Sequence, residues 1–249
     1  MKVLELFSGT ASFSKVATAR GHECRTLDFE EKFNPTYCMD IMDFDPAILN
    51  GWKPDVIWAS PPCQCFSVAS LYHHWEISGP VHIPISEGAI KSMRIVEKTL
   101  DIIRTIKPSY YFIENPRAML RKMPFMRGWN RSTITYCQYG AKTQKPTDIW
   151  NNCIEWHPRP MCRPRSPCHE SAPRGSKSGI QGIGHKGAGC GKFGRKDVRS
   201  KSATLRAIVP PMLCEEILIA CESIPFDAET TKSESQLDDI KQEKEKTTG

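Results

Sequence analysis

Residues 2 to 21 read KVLELFSGTASFSKVATARG, and the order of residue types in this stretch sets the fold class. KVLELF is a short run of apolar and β-favouring residues, a strand candidate over 2 to 7. Gly9 lets the chain turn tightly, and the SFSKVATAR that follows suits a helix. A strand that enters a helix through a glycine turn is the building unit of α/β domains. The alternation then repeats: further strand candidates are ECRTLDF (23 to 29), TYCMDI (36 to 41), DVIWAS (55 to 60), YYFIEN (110 to 115), STITYC (132 to 137) and TDIWNN (147 to 152). The clearest helix covers about 86 to 106. There Ile90, Met93, Val96, Leu100 and Ile103 recur every three or four residues and form one apolar face, stopped by Lys107-Pro108. The expectation is an α/β domain built on a largely parallel sheet.

The composition bounds the rest. A chain of 249 residues with 39% hydrophobic content can bury one substantial core. It contains no run of about 18 apolar residues, and MKVLELFSG does not fit a signal peptide. The expected setting is therefore the cytoplasm of a bacterial host cell, without membrane attachment and as a monomer. Eleven cysteines cannot all pair with one another, and in a reducing compartment thiols are more often buried, metal-bound or catalytic.

The formal charge of +6 is concentrated in one place. From Arg159 to Lys201 there are eleven Lys/Arg against two acids, Glu170 and Asp197, a local excess of nine. Such a stripe fits a polyanion partner, because each cation near a phosphate releases condensed counterions. It equally fits a solvated loop. Residues 157 to 203 are rich in Pro, Gly, Ser, Arg and Lys, without apolar periodicity, and are expected to form an irregular inserted lobe. Order is expected to return with a helix at 210 to 222, where Met212, Ile217, Leu218 and Cys221 can face a core. From Ala228 the tail is polar and mixed in charge, with the composition of a disordered segment.

In open α/β sheets ligands bind at the carboxyl edge of the strands, and the residues with chemical potential gather there. Gly9 can let backbone approach a ligand at a helix N-terminus. Asp28, about 20 residues on, ends the next strand candidate, where an acid can accept hydrogen bonds from ribose hydroxyls. Asp40 ends the third. SPPCQCFS (60 to 67) follows the fourth, and its thiols Cys63 and Cys65 are open to four readings: half of a metal site, a disulfide, buried filler, or one nucleophile with a bystander. ENP (114 to 116) brings a carboxylate to the same edge. A thiol beside a carboxylic acid is what covalent catalysis on a heteroaromatic ring requires.

LELFSGTASFSKVATARG, LDF, CMDI, ASPPCQCFS, FIENP, QYG and IVPPML together resemble, in order, the motifs of cytosine-5 DNA methyltransferases, in a compact form like that of phage- or prophage-type members. The resemblance implies a Rossmann-like core that binds S-adenosylmethionine, a small irregular target-recognition lobe, and a base flipped out of double-stranded DNA, with restriction-modification as the setting. Cys63 matches the nucleophile and Glu114 the acid. Phe7, Gly9, Asp28, Asp40 and Pro61 match cofactor positions, with Asp28 at the ribose and Asp40 near the adenine amino group. Gln64, Asn115, Gln144 and Lys145 are the implied substrate contacts, and Cys65 inherits no role. The implied division is 1 to 156 as catalytic core, 157 to 203 as target lobe, 204 to 226 as a helix completing the core, and 227 to 249 as tail. RNA cytosine-5 methylation and non-catalytic nucleic-acid binding stand as alternatives.

The chain departs from the motifs in three places. Ala11 and Ser12 stand where the family usually carries glycines, the Gln-x-Arg-x-Arg motif is broken after Gln144, and Arg206-Ala207 replaces Gly-Asn before VPPML. In and beside the basic segment stand Cys153, His157, Cys162, Cys168, His169, His185 and Cys190. A zinc knot could staple so small a lobe, but their spacings match no regular zinc finger, and no metal site is assigned.

Overall fold

A computed structural model describes residues 1–79, 81–163, 166–169 and 207–223. Nine strands are assigned among them: β1 (Lys2–Leu6), β2 (Glu23–Asp28), β3 (Tyr37–Cys38), β4 (Val56–Ala59), β5 (Trp75–Ser78), β6 (Val81–Pro84), β7 (Tyr110–Pro116), β8 (Arg131–Thr135) and β9 (Pro146–Asn151). The α-helices are α1 (Ser12–Ala19), α2 (Leu71–His74), α3 (Glu87–Ile106) and α4 (Pro211–Glu222). Seven strands form one sheet in the order β3-β2-β1-β4-β7-β9-β8. All its pairings are parallel except the two that β9 makes, with β7 and with β8.

Strand periodicity of two explains why both faces of this sheet are covered. Leu4, Leu6, Ile57, Ala59 and Ile113 join Val96, Leu100 and Ile103 of α3 in one core. Val3, Val56, Trp58 and Phe112 join Phe13 and Ala17 of α1 and Leu213, Ile217 and Leu218 of α4 in the other. Neighbouring residues on each central strand thus belong to opposite layers. On the second face Phe13 stacks on Trp58 at 4.7 Å between centroids, 10° from parallel. At about 25 cal/mol per Å² of apolar area, burying these aromatics is a dominant stabilising contribution to that layer.

Several expectations change in detail. The third strand shrinks to Tyr37–Cys38, because Asp40 accepts the Met42 N–H and caps a short 3-10 turn. Phe29, expected at the end of the second strand, lies outside it and is exposed, and Tyr136 and Cys137 leave the β8 direction in another 3-10 turn. On α3, Val96, Leu100 and Ile103 are buried as expected, but Ile90 is 42% exposed and Ala89 and Ser92 take the buried side. On α4, Ile217, Leu218 and Cys221 are buried while Met212 faces outward. The β5–β6 hairpin, paired antiparallel, has no counterpart in the sequence reading.

The proposed boundary at 156/157 is crossed by contacts. Arg159 donates from Nε to Glu216 of α4 at 2.8 Å and takes the Tyr139 hydroxyl as acceptor for its N–H at 2.9 Å, while the Cys162 N–H donates to Thr135 Oγ1 at 3.0 Å. Residues 157 to 162 therefore run along the core. The basic segment from 170 to 206 and the tail from 224 lie outside the described residues.

Candidate active site

Parallel pairing of β4 with β7 sets Ala59 against Ile113, so the next residues, Ser60-Pro61 and Glu114-Asn115, emerge together at the carboxyl edge. Asn115 is fully buried and donates from Nδ2 to the Pro61 carbonyl at 3.0 Å. That bond ties the strand carrying Glu114 to the loop carrying Cys63. The loop is closed further by the Phe66 N–H to the Cys63 carbonyl, by the Met119 N–H to the Phe66 carbonyl, and by Trp75 Nε1 to the Cys65 carbonyl at 2.6 Å. Cys63 is half-buried and Gln64 exposed. Cys65 is buried in the core on the α3 side, which answers the question of the two thiols for that residue: it is filler.

Glu114 is 6% exposed, and a carboxylate so placed must be satisfied by donors. Tyr136 donates its hydroxyl to Glu114 Oε1 at 2.8 Å, and Lys145 Nζ lies 3.4 Å from the same oxygen. Lys145 also sits 4.3 Å from the centroid of the Tyr136 ring. Burial, and after it the neighbouring Glu114, pushes the Tyr136 hydroxyl well above its ordinary range, so it remains a donor. Tyr136 is the residue that sequence reasoning missed. It was read as the penultimate residue of a strand, and only the 3-10 turn that begins there carries its ring beneath Glu114.

On the neighbouring strands the turn after β1 has three residues at positive φ, Phe7 (58°), Gly9 (46°) and Ala11 (54°). Asp28, at the end of β2, takes the Gly9 N–H at 2.8 Å on one carboxylate oxygen and the Glu30 N–H at 2.9 Å on the other. Glu5 accepts the N–H groups of Phe13 and Ser14 at 3.2 and 2.8 Å and so seals the start of α1. The Val209 N–H donates to Ser12 Oγ at 3.3 Å, bringing the return segment back to this turn.

The structure gathers Phe7, Gly9, Asp28 and Asp40 on the β1–β3 side of the edge and Pro61, Cys63, Glu114, Asn115 and Lys145 on the β4–β7 side. Two substrate contacts are corrected. The Asn115 amide holds Pro61 inside the protein, and the Gln144 amide turns away from Glu114, 3.1 Å from Cys162 Sγ. Where the Gln-x-Arg-x-Arg motif is broken, Asp148 is completely buried and is met by Arg121 Nε at 2.7 Å and by Thr133 Oγ1 at 2.8 Å. Against the expectation of no metal site, Cys137, Cys162, Cys168 and His169 converge, with donor atoms all within 4.8 Å of one another. Cys153 is not among them, and His185 and Cys190 lie outside the described residues.

Residues 1–125 match the family model of the C-5 cytosine-specific DNA methylase. The chain belongs to that family. Its enzyme class is S-adenosylmethionine-dependent DNA (cytosine-5-)-methyltransferase, acting on DNA. The chain is 28% identical, over 227 residues, to the "Probable DNA (cytosine-5)-methyltransferase" of Frog virus 3 (isolate Goorha), covering 89% of this chain and all of that one. Among solved structures it is similar to Schizosaccharomyces pombe Dnmt2 (16% identity, TM-score 0.41, 61% of this chain and 48% of that one). It is also similar to Entamoeba histolytica EhMeth (14%, TM-score 0.45, 61% and 52%). It spans about half the length of these two solved chains.

The residues at the β1–β2 edge fit an S-adenosyl group. A Cβ built on Gly9 would meet nothing within 4 Å, so the turn leaves open space above its backbone. The Asp28 carboxylate lies beside that space with each oxygen engaged by one backbone donor, and each keeps capacity to accept another hydrogen bond.

Proposed function

We propose that this chain methylates carbon 5 of a cytosine flipped out of double-stranded DNA, with Cys63 as nucleophile and Glu114 as the acid. The observation that carries the assignment is the pair of donors on Glu114 Oε1, set on the strand that Asn115 ties to the Cys63 loop. Cytosine carbon 5 is too weak a nucleophile to attack a methyl sulfonium directly. Addition of the Cys63 thiolate to carbon 6 places the ring electron pair at carbon 5, while Glu114 stabilises the proton on ring nitrogen 3. S-adenosylmethionine, when bound, supplies the electrophilic methyl group. Loss of the proton at carbon 5 to a base restores the double bond and expels the thiolate.

Phe7, Gly9, Asp28, Asp40 and Pro61 are the residues that would hold the cofactor, and Gln64 and Lys145 those nearest the base. Only a few per cent of an ordinary thiol with pKa about 8.5 is ionised at neutral pH. Extraction of the base costs a few kcal/mol, offset by contacts to the DNA. The basic segment, 157 to 203, is the proposed target-recognition element, its cations positioning phosphates while a few side chains read bases. In this reading 1 to 156 and 204 to 226 form the core, and 227 to 249 a tail. Monomeric action in the cytoplasm of a bacterial host belongs to the same proposal. Among the described residues no helix is long and apolar enough to cross a membrane. A phage-type member with a restriction partner is supported by the compact form of the chain.

The test is transfer of a labelled methyl group from S-adenosylmethionine to duplex DNA and to tRNA offered side by side. DNA labelling is expected, and duplex DNA carrying 5-fluorocytosine should trap a covalent complex, since fluorine blocks the final loss from carbon 5. Cys63→Ser should abolish both. Methylation that survives Cys63→Ser removes the proposed nucleophile, and labelling of tRNA alone replaces the proposed substrate.

A further inference from the structure

We propose that Cys137, Cys162, Cys168 and His169 bind one zinc ion that staples the start of the basic segment to the catalytic core. Cys137 lies in the 3-10 turn after β8, and the other three lie on the chain leaving the core after β9. Their approach is therefore tertiary, across an intervening strand. The Sγ atoms of Cys137 and Cys162 are 3.1 Å apart, and those of Cys137 and Cys168 3.7 Å apart. His169 Nδ1 lies 3.6 Å from Cys162 Sγ and 3.5 Å from Cys168 Sγ. A tetrahedral ion with metal–sulfur distances of about 2.3 Å and a metal–nitrogen distance of about 2.0 Å has edges of roughly 3.5–3.8 Å. Three of the four separations fall in that range, and Cys137 and Cys162 need only open by about half an ångström to meet it. None of the three cysteines is in a disulfide.

A second set of contacts points the same way. Gln144 Nε2 lies 3.1 Å from Cys162 Sγ, and Gln138 Nε2 lies 3.5 Å from Cys168 Sγ. A neutral thiol sulfur is a weak acceptor, whereas a metal-bound thiolate is one that outer amide N–H groups orient and stabilise. Three thiolates and an imidazole in tetrahedral array select zinc, and four protein ligands leave no open position for a substrate water, which makes the site structural.

Its place gives it a further consequence, which rests on reading Glu114 as the catalytic acid. Cys137 adjoins Tyr136 and Gln144 adjoins Lys145, and Tyr136 and Lys145 are the two residues that meet Glu114 Oε1. One ion thus fixes the root of the basic segment and the backbone behind both donors.

The decisive measurement is metal content of the full chain, purified under reducing conditions without chelator, by elemental mass spectrometry. About one equivalent of zinc is expected, and Cys168→Ser and His169→Gln, each on an outer part of the site, should lose it while circular dichroism reports a folded core. Cys38→Ser, an exposed cysteine elsewhere, should keep it. Cobalt(II) substituted into the same protein should give the intense visible bands of tetrahedral thiolate coordination, absent from Cys168→Ser. Zinc below a tenth of an equivalent together with failure to take up cobalt, equal retention in Cys168→Ser and Cys38→Ser, or a disulfide between Cys137 and Cys162 would overturn the assignment. These readouts need neither DNA nor cofactor, so failure of methyl transfer leaves the metal site standing, and loss of the metal site leaves the catalytic assignment standing.

Discussion

Replacing Tyr136 by Phe removes a single oxygen from beneath the proposed acid. The ring is 2% exposed and enclosed by the second-face core, so Phe fills the same volume. The one interaction lost is the 2.8 Å bond to Glu114 Oε1, leaving Lys145 at 3.4 Å as the remaining donor that meets this oxygen. A hydrogen bond to a charged group is worth about 1.5–3 kcal/mol, and each 1.4 kcal/mol on a barrier is about tenfold in rate. If the bond holds the carboxyl where the flipped base needs it, single-turnover methyl transfer should fall by roughly ten- to a hundredfold. Cofactor affinity, measured separately by calorimetry, should stay within about twofold, because Phe7, Gly9 and Asp28 lie on other strands. Since the hydroxyl keeps its proton far into alkaline solution, the defect should persist across the working pH range. Adding Lys145→Met should give a non-additive loss, both donors sharing one oxygen. A Tyr136→Phe enzyme that transfers at the wild-type rate, or one whose defect is matched by an equal loss of cofactor binding, would refute the positioning role.

Burial raises the Glu5 carboxyl to about 7, against the opposing N–H groups of Ser14 and Phe13. A folded-state value above the unfolded one means stability present below about pH 4.5 and lost as pH rises through about 7, on the order of 3 kcal/mol at full extent; urea midpoints should fall between about pH 5 and about pH 8, and Glu5→Gln should flatten that slope. Ala11, at φ 54°, carries the strain of a left-handed residue, about 1–2 kcal/mol, so Ala11→Gly should stabilise by about 0.5–1 kcal/mol after its unfolded-state entropy is counted; a lower thermal midpoint would contradict the strain argument. Cys65→Ala keeps the carbonyl that Trp75 bonds and should retain transfer while losing about 1 kcal/mol of stability, whereas Cys63→Ala should lose transfer altogether; comparable losses would reopen a shared role for the two thiols.

The sequence carried the sheet and most of the edge residues, because both depend on local pattern. Alternation in KVLEL and DVIWAS marks strands with two buried faces, and Asp28, Pro61 and Glu114 follow such strands directly. What it left illegible depends on distance. Tyr136 and Cys137 looked like strand residues, and nothing within a few positions says that the chain turns there. The ligand set around Cys137 joins residues on either side of β9, so its spacing cannot resemble a finger whose ligands sit on one hairpin. The Gln144 amide was assigned by motif to the substrate, but the thiol that it meets lies 18 positions on. On α3 and α4 periodicity located the apolar stripe without fixing its edges, which left Ile90 and Met212 outside the core. The β5–β6 hairpin was passed over although Gly79 and Pro80 separate its strands, because three of the four β5 residues are exposed and leave little apolar contrast.

The second crossing of the core has a consequence for how such a protein can change. After the long basic segment the chain returns to the helix and turn it left near the start: Arg20 grips Glu222 and Glu215, His22 meets Glu222, and the Val209 amide meets Ser12. On the outgoing side Arg159 is already fastened to Glu216. Residues 170 to 206 therefore behave as a cassette between two fixed clasps. A different cassette can be installed there without disturbing either clasp, so the choice of target can drift while the machinery that performs the reaction is inherited intact.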